Sequence, residues 1–306
     1  MKFIVLKVGL LSVFSACAVM ATPVDSSQVC AEAGWAIHVD VDRLKETQVG
    51  KMLLDEVNKP ENQQKIAWFQ TVFGFDPTKA IRGVTLSGGV DRAEDGVLLI
   101  RGDFDTNRLS QLPKSWSEYH EEQHGNHMVY SWIDKNKADQ PRVFAAISGN
   151  TVILSKKPGL VEDTLDVIDG AKPSLKDVNP FDGLGLNEQK AFLVGGVSKT
   201  GRFGPKPIAS IVKQIKFIGV VVGEEDGKVK IDLPMRAFAP EAAQSMADLN
   251  RGIVALLTLQ EDPNAVLLGK SITVTQKNET VISSIKLPVD DAVRLFESAK
   301  KKKLLH

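Results

Sequence analysis

Residues 119–133 have the sequence YHEEQHGNHMVYSWI, which can be interpreted in two ways. As a helix, the stretch would place His120 and His124 on one face, the His-Glu-x-x-His arrangement that binds Zn²⁺ in metallopeptidases. Glu121 would then activate a zinc-bound water. As a β-hairpin, the stretch would turn at residues 125–126. The choice decides the local fold and separates an enzyme from a protein that lacks this catalytic site.

The residues around the motif favour the hairpin. Gly125 and Asn126 follow His124 directly, and both residue types disfavour a continuing helix. Residues 127–133 are rich in β-forming side chains, and residues 114–119 show no helical apolar stripe. In a strand, two residues four positions apart are separated by about 13 Å, which is too far for one metal ion. We therefore predict a solvent-facing hairpin.

Zinc binding is the alternative. In the helical interpretation, the metal ligands would be His120 and His124, with His127 as the third ligand and Glu121 as the catalytic residue. In a weaker form, His120 or Glu122 would face His127 across the hairpin and hold a metal without catalysis. The expectation without either site is that no cofactor is bound.

Before and after this hairpin in the sequence, strand pairs and helices recur in both halves of the chain. Strands are predicted at residues 35–42, 81–88, 96–104, 142–148, 151–155, 191–198, 217–223, 228–238, 271–275 and 281–287. Helices are predicted at residues 47–57, 62–73, 106–112, 158–170, 207–214, 240–259 and 290–299. Strands joined by short turns form antiparallel sheets. The pattern predicts an α+β fold of two tandem units, each an antiparallel sheet with helices packed on one face. One continuous domain without internal symmetry is the alternative.

The predicted organisation has six segments. They are a signal peptide at residues 1–21, a flexible N-terminal segment at 22–33, unit 1 at 34–170, a connector at 171–187, unit 2 at 188–300 and a basic tail at 301–306. Within the units, the alternation along the first strand predicts that His38 and Asp40 lie on its polar face. The apolar spacing of the longest helix predicts that five residues face the core: Ala243, Met246, Leu249, Ile253 and Leu257.

The first residues are typical of an export signal. A short basic start precedes an apolar stretch at residues 8–19, and small residues precede a polar segment. Cleavage after Ala21 would release a periplasmic or secreted protein. The alternative is lipidation of Cys17, which follows a poor lipobox at residues 14–16. Membrane contact is expected only if Cys17 carries this lipid.

Composition excludes several classes of protein. The chain has 306 residues, 43% of them hydrophobic and 25% charged, which is too apolar for a disordered protein. The 38 basic and 38 acidic residues balance, which argues against a nucleic-acid binder. Loss of Lys2 and Lys7 with the leader leaves the mature chain slightly acidic. Of the two Cys, Cys30 alone would remain, so no internal disulfide is expected.

Four stretches carry a resemblance to a family. They are GFDP at residues 74–77, LIRGDFD at 99–105, YSW at 130–132 and LDVIDG at 165–170. With these stretches the chain resembles uncharacterised exported bacterial proteins with tandem α+β domains, a family of unknown function. The resemblance implies the fold and export, and it brings no activity or functional residue.

These observations lead to one functional expectation and two alternatives. We expect an exported soluble protein without enzymatic activity that binds an unknown protein or envelope component, with a second copy of the chain as another candidate partner. A free sheet face or a groove would serve for this contact. The alternatives are a zinc-dependent hydrolase that uses residues 120–124 and a carrier of an apolar ligand.

Overall fold

The structure is a computed structural model, and it describes residues 25–89, 95–135, 139–178, 190–198 and 213–304. The predicted signal peptide with Cys17 and the cleavage position at Ala21 lie outside these residues, as does the connector from residue 179 onward. Residues 207–212 of the helix predicted at 207–214 also lie outside them. The chain divides into two compact units, Met1–Asn179 and Pro180–His306.

Unit 1 contains seven strands and seven α-helices within its described residues. The strands are β1 (Trp35–Asp40), β2 (Ile81–Gly88), β3 (Gly96–Gly102), β4 (His120–His124), β5 (His127–Ile133), β6 (Arg142–Ser148) and β7 (Thr151–Ser155). The helices are α1 (Val41–Glu46), α2 (Gln48–Val57), α3 (Pro60–Phe73), α4 (Pro77–Ala80), α5 (Thr106–Gln111), α6 (Pro158–Ile168) and α7 (Leu175–Val178). Short 3₁₀ turns cover Ser26–Gln28 and Leu112–Ser115.

The strands of unit 1 are antiparallel in the order β1-β2-β3-β7-β6-β5-β4. The predicted hairpin at residues 119–133 is confirmed, because His124 pairs with His127 across a two-residue turn. Gly125 occupies the left-handed region in this turn, with φ of +55°. In consequence, β4 is the edge strand at one end of this sheet.

The α+β class is confirmed, but helices pack against both faces of the sheet in unit 1. One cluster joins Leu99 of β3 to Val161 and Leu165 of α6. A second cluster joins Ile100, the next residue of β3, to Val41 of α1. Neighbouring side chains of a strand point to opposite faces, so these clusters lie on the two sides of the sheet. The central strands are apolar on both sides, which the prediction of a single covered face did not allow for.

The segment predicted to be flexible at residues 22–33 is ordered from residue 25 onward. Val29 is 2% exposed, and its carbonyl accepts a hydrogen bond of 2.6 Å from the amide of Leu175. Cys30 forms a β-bridge with Ser174. Residues 171–178 of the predicted connector therefore belong to the packed structure of unit 1. Sequence periodicity missed this contact because it joins two short segments far apart in the chain.

The polar face predicted for β1 is buried. His38 and Asp40 are 5% and 2% exposed. The His38 Nδ1 atom lies 2.8 Å from the Thr85 hydroxyl, and the Asp40 carboxylate accepts a 2.9 Å hydrogen bond from the Arg43 amide. Asp40 thereby caps α1, which ends the strand two residues earlier than predicted. The bond to Thr85 compensates for burying the His38 ring, and the Arg43 amide satisfies one of the two carboxylate oxygens of Asp40.

Unit 2 contains five strands and three α-helices within its described residues. The strands are β8 (Ala191–Ser198), β9 (Ile215–Glu225), β10 (Lys228–Ala237), β11 (Ile272–Lys277) and β12 (Thr280–Pro288). The helices are α8 (Pro240–Thr258), α9 (Pro263–Ser271) and α10 (Val289–Leu304). The strand order is β11-β12-β10-β9-β8, all antiparallel. Helix α10 continues through most of the predicted basic tail.

The core side predicted for helix α8 is correct in its first two turns and wrong further along the helix. Ala243 and Met246 are buried as predicted, together with Ala247, whereas Leu249 and Ile253 are 43% and 48% exposed. The apolar residues span more of the helix surface than the sheet covers, so spacing alone did not reveal which flank is buried. Among the helices of the described residues, none is long and apolar enough to cross a membrane.

Candidate functional site

The His-Glu-x-x-His residues lie on an exposed strand. His120, Glu122 and His124 share one face of β4, and Glu121 lies on the other, because side chains alternate along a strand. The helical arrangement that this zinc motif requires is absent. In the described parts of the chain, no three His, Cys, Asp or Glu side chains converge where they could hold a metal ion. Glu121 instead accepts a hydrogen bond from the Tyr119 hydroxyl.

Two of the three predicted histidines connect the hairpin tip to the end of α6. The Nε2 atom of His124 lies 2.7 Å from Oδ1 of Asp166, and Nε2 of His127 lies 2.9 Å from Oδ1 of Asp169. We call these four residues the histidine clasp. Each imidazole can donate its Nε2 proton to the carboxylate that it faces. The clasp therefore attaches β4 and β5 to the C-terminal end of α6.

A lysine extends the clasp. Lys172 Nζ lies 2.9 Å from Asp166 and 2.5 Å from Asp163. The hydrogen bond with His124, followed by that with Lys172, holds the pKa of Asp166 below its ordinary value. Hydrogen bonds with Asp163 and Asp166 raise the pKa of Lys172. Asp166 is thus ionised in the folded protein at neutral pH and accepts from two donors.

The lowered pKa of Asp166 predicts how the stability contribution of the clasp depends on pH. An Asp166→Asn variant should lose about 0.5–1 kcal/mol of unfolding free energy at pH 7, a modest loss because the pair is partly exposed to solvent. A carboxyl with a depressed folded pKa stabilises above its unfolded pKa of about 3.9, and this stabilisation disappears as the pH falls through the folded value. The difference between wild type and variant should therefore shrink below about pH 4.

Urea unfolding at a series of pH values measures this effect. Asp55→Asn is the matched control, since Asp55 is an exposed residue of α2 in the same unit. A difference between wild type and Asp166→Asn that stays constant between pH 7 and pH 2 would show that the ionised clasp does not contribute to stability.

A groove opens beside β4, next to the N-terminal half of α6. Its volume is about 420 Å³, and Val129, Ser131 and Phe144 of β5 and β6 are among its lining residues. Pro158 and Glu162 of α6 line it from the helix. His120 and Glu122 line it from the edge strand. We call this cavity the β4 groove. The histidine clasp holds the opposite end of the same helix against the hairpin.

One end of the β4 groove is organised by Arg142. Its guanidinium forms an ion pair of 3.2 Å with the Glu118 carboxylate and donates to the Glu118 carbonyl at 3.1 Å. It also donates to the hydroxyl of Ser131 at 3.2 Å. Glu118 adopts a left-handed backbone with φ of +53°, which is unfavourable for a residue with a side chain. The two hydrogen bonds to Glu118 hold it in this conformation, and the bond to Ser131 fixes the guanidinium to β5.

Glu122 and Glu162 are the remaining carboxylates that line the β4 groove. Within the described residues, neither Glu122 nor Glu162 has a basic nitrogen within ion-pair distance, whereas Glu118 is paired with Arg142. The groove therefore carries an excess of negative charge, and the apolar side chains of Val129 and Phe144 also line it.

The opposite face of the hairpin has a different character. The rings of Trp116 and Trp132 meet edge to face with centroids 4.6 Å apart. Burial, followed by the charge of Glu121, raises the pKa of Tyr130. Burial and the hydrogen bond with Glu121 raise the pKa of Tyr119. Met128 is 37% exposed on this face. Aromatic packing therefore rigidifies the hairpin from the side away from the β4 groove.

The sequence analysis identified the hairpin at residues 119–133, but only some of the residues that form the candidate site. The structure brings His124 and His127 together at the hairpin tip, and places His120 in the groove instead. Asp166, Asp169, Arg142 and Glu162 were not predicted. Asp166 and Asp169 are three residues apart at the end of a helix, but nothing local indicates that a hairpin 42 residues earlier contacts them.

Comparisons with known proteins identify no family. No protein-family model and no curated protein matches the sequence. The chain is distantly similar to the solved structures of TP0453 in crystal forms I, III and IV, at 7%, 9% and 8% identity. The aligned regions cover 90–92% of this chain and 97–99% of those chains, with TM-scores of 0.45, 0.47 and 0.46.

Proposed function

We propose that the protein is an exported, non-enzymatic binding module of the cell envelope, and that the β4 groove is its docking site. The observation that carries this proposal is the position of the groove at an open sheet edge. Residues 120–123 of β4 are exposed, and no strand follows β4 in the strand order of unit 1. A partner at this edge reaches both backbone hydrogen-bonding groups and a cavity for side chains.

The chemistry of the histidines supports binding over hydrolysis. Nε2 of His124 and Nε2 of His127 both face aspartates, and their hydrogen bonds join two structural elements. A hydrolase would need a histidine or carboxylate beside a nucleophile or metal-bound water. His120 lines the β4 groove, and no hydrogen bond from its ring to a hydroxyl or thiol is observed in the described residues.

The form of the groove does not favour an apolar cargo. Sites for small apolar ligands bury most of the ligand surface among hydrophobic side chains. The β4 groove is lined by Glu118, Glu122, Glu162 and Arg142 in addition to its apolar residues. A polypeptide with complementary charge satisfies these groups better than a lipid chain does.

Site-specific photo-crosslinking in living cells tests the docking site. A photoreactive phenylalanine analogue replaces Glu122 in the groove or, as the matched control, Met128 on the other face of the same hairpin. We expect a discrete crosslinked species from position 122 and a much weaker one from position 128. Equal crosslinking from both positions, or none from position 122, would contradict the β4 groove as the docking site.

A further inference from the structure

The edge strand β4 exposes hydrogen-bonding groups in a defined register. His124 and His127 flank a two-residue turn and form a backbone-bonded pair, and such pairs alternate along an antiparallel ladder. His120 and Glu122 therefore direct their backbone groups towards β5. The amides and carbonyls of Glu121 and Gln123 point away from the sheet, where an added strand would meet them.

The β4 groove lies where the side chains of an added strand would project. Side chains of such a strand alternate between the groove face and the aromatic face of the hairpin. A volume of about 420 Å³ accommodates one or two long side chains beside Glu122. Strand addition gains affinity from the main chain and specificity from cavities that receive alternate side chains.

The charge of the β4 groove favours particular side chains of an added strand. Glu122 and Glu162 lack a basic partner within the described residues, and both line the β4 groove. Glu121 adds a carboxylate on the other face of the same strand. A Lys or Arg side chain brought in by a new strand would reach the carboxylates of Glu122 and Glu162 and, through its aliphatic stem, the apolar side chains that line the groove.

A second copy of this chain fits the edge poorly. Antiparallel pairing of two β4 strands about their centre would place Glu122 opposite Glu122. Like charges directly opposite each other across a strand pair are destabilising. The same carboxylates attract a cationic segment, so the charge pattern favours a different partner over self-association.

We propose that β4 binds an extended polypeptide segment with Lys or Arg at alternate positions, which adds to the sheet as a further strand and places its basic side chains in the β4 groove. This inference rests on the proposed function, because it names the chemistry of the partner at that docking site. Ion pairing in a partly open groove makes the affinity fall as salt concentration rises.

Titration of the mature protein with a defined peptide tests the inference. The probe is a fluorescently labelled peptide of seven residues, Lys-Thr-Lys-Thr-Lys-Thr-Lys, with blocked ends, measured by anisotropy at low salt. We expect saturable binding that weakens at least tenfold in a Glu122→Gln, Glu162→Gln double variant. A Glu241→Gln, Glu261→Gln variant of exposed unit 2 residues changes the net charge equally and should bind as wild type does.

Two altered peptides separate strand addition from simple charge attraction. A peptide with N-methylated threonine amides keeps its charge but loses backbone donors, and it should bind at least tenfold more weakly. A peptide with Glu in place of Lys should not bind. Equal binding of the methylated peptide, or equal loss in both double variants, would overturn the inference.

The experiments give different outcomes if the cationic strand is wrong and if the docking site itself is wrong. A crosslinked partner at position 122 without peptide binding would leave the docking site in place and contradict the cationic strand. If the carboxylates only protect the edge, no peptide binds and the Glu122→Gln, Glu162→Gln variant self-associates in sedimentation experiments. That result would also overturn the inference.

Discussion

A Leu165→Ala variant should lose about 3–4 kcal/mol of unfolding free energy in unit 1. Leu165 is 1% exposed on the inner side of α6 and packs in the cluster with Leu99, Val129 and Ile153. Truncation removes buried methyl groups and leaves a cavity that the strands cannot fill without losing their pairing. Because α6 also carries Glu162 and Asp166, loss of its anchor should weaken both the β4 groove and the histidine clasp.

Tryptophan fluorescence during urea unfolding measures this loss selectively. The four tryptophans of the chain, Trp35, Trp68, Trp116 and Trp132, all belong to unit 1. Leu256→Ala is the matched control, since Leu256 is 62% exposed on α8, and circular dichroism should show a change below about 0.5 kcal/mol. A loss below about 1 kcal/mol for Leu165→Ala would contradict the packing of α6 on the sheet.

A Gly102→Ala variant should be destabilised by about 3 kcal/mol. A Cβ atom at Gly102 would lie 2.4 Å from the carbonyl oxygen of Ala80 and 2.6 Å from the ring of Phe104. The Ala80 oxygen is backbone and already accepts a hydrogen bond from the Asp103 amide. The clash therefore cannot be relieved by a side-chain rotation, and the end of β3 must shift.

Gly159→Ala separates this clash from the general effect of adding a methyl group. Gly159 lies in the first turn of α6, and nothing stands within 4 Å of the position that its Cβ would take. This substitution should leave stability unchanged or raise it by up to about 1 kcal/mol through helix propensity. Equal fluorescence-detected unfolding curves for the two variants would contradict the close approach of Gly102 to Ala80.

Local signals in the sequence were sufficient for most elements of the fold. Gly125-Asn126 and Gly149-Asn150 are two-residue turn signals between β-forming runs, and both hairpins form with the predicted strands. Leu160, Leu165 and Ile168 have helical spacing, and all three pack as predicted. In these segments, the hydrophobic pattern and the turn chemistry favour the same structure.

Errors arose where tertiary contacts determine which side of an element is buried. His38 and Asp40 alternate with apolar residues, yet they are buried because Thr85 and the Arg43 amide provide hydrogen bonds. The N-terminal segment has no periodic pattern, but a bridge between Cys30 and Ser174 orders it. The contacts of His38 with Thr85 and of Cys30 with Ser174 join residues far apart in the chain, so no local pattern reports them.

The candidate site, too, could be predicted from the sequence only in part. The hairpin and its histidines could be predicted, because residues 120–127 carry both the motif and the turn. The β4 groove could not, since it requires α6 to lie beside β4 and Arg142 to hold Glu118. Membership of the exported bacterial family stays a prediction.

Hydrogen exchange of the β4 amides tests the docking of a basic strand most directly. In the free protein, the amides of Glu121 and Gln123 should exchange rapidly, and those of His120 and Glu122 slowly, because only the latter are bonded to β5. With saturating Lys-Thr peptide, we expect exchange at Glu121 and Gln123 to slow at least tenfold while His120 and Glu122 change little. Unchanged exchange at Glu121 and Gln123 under saturating peptide would contradict strand addition at β4.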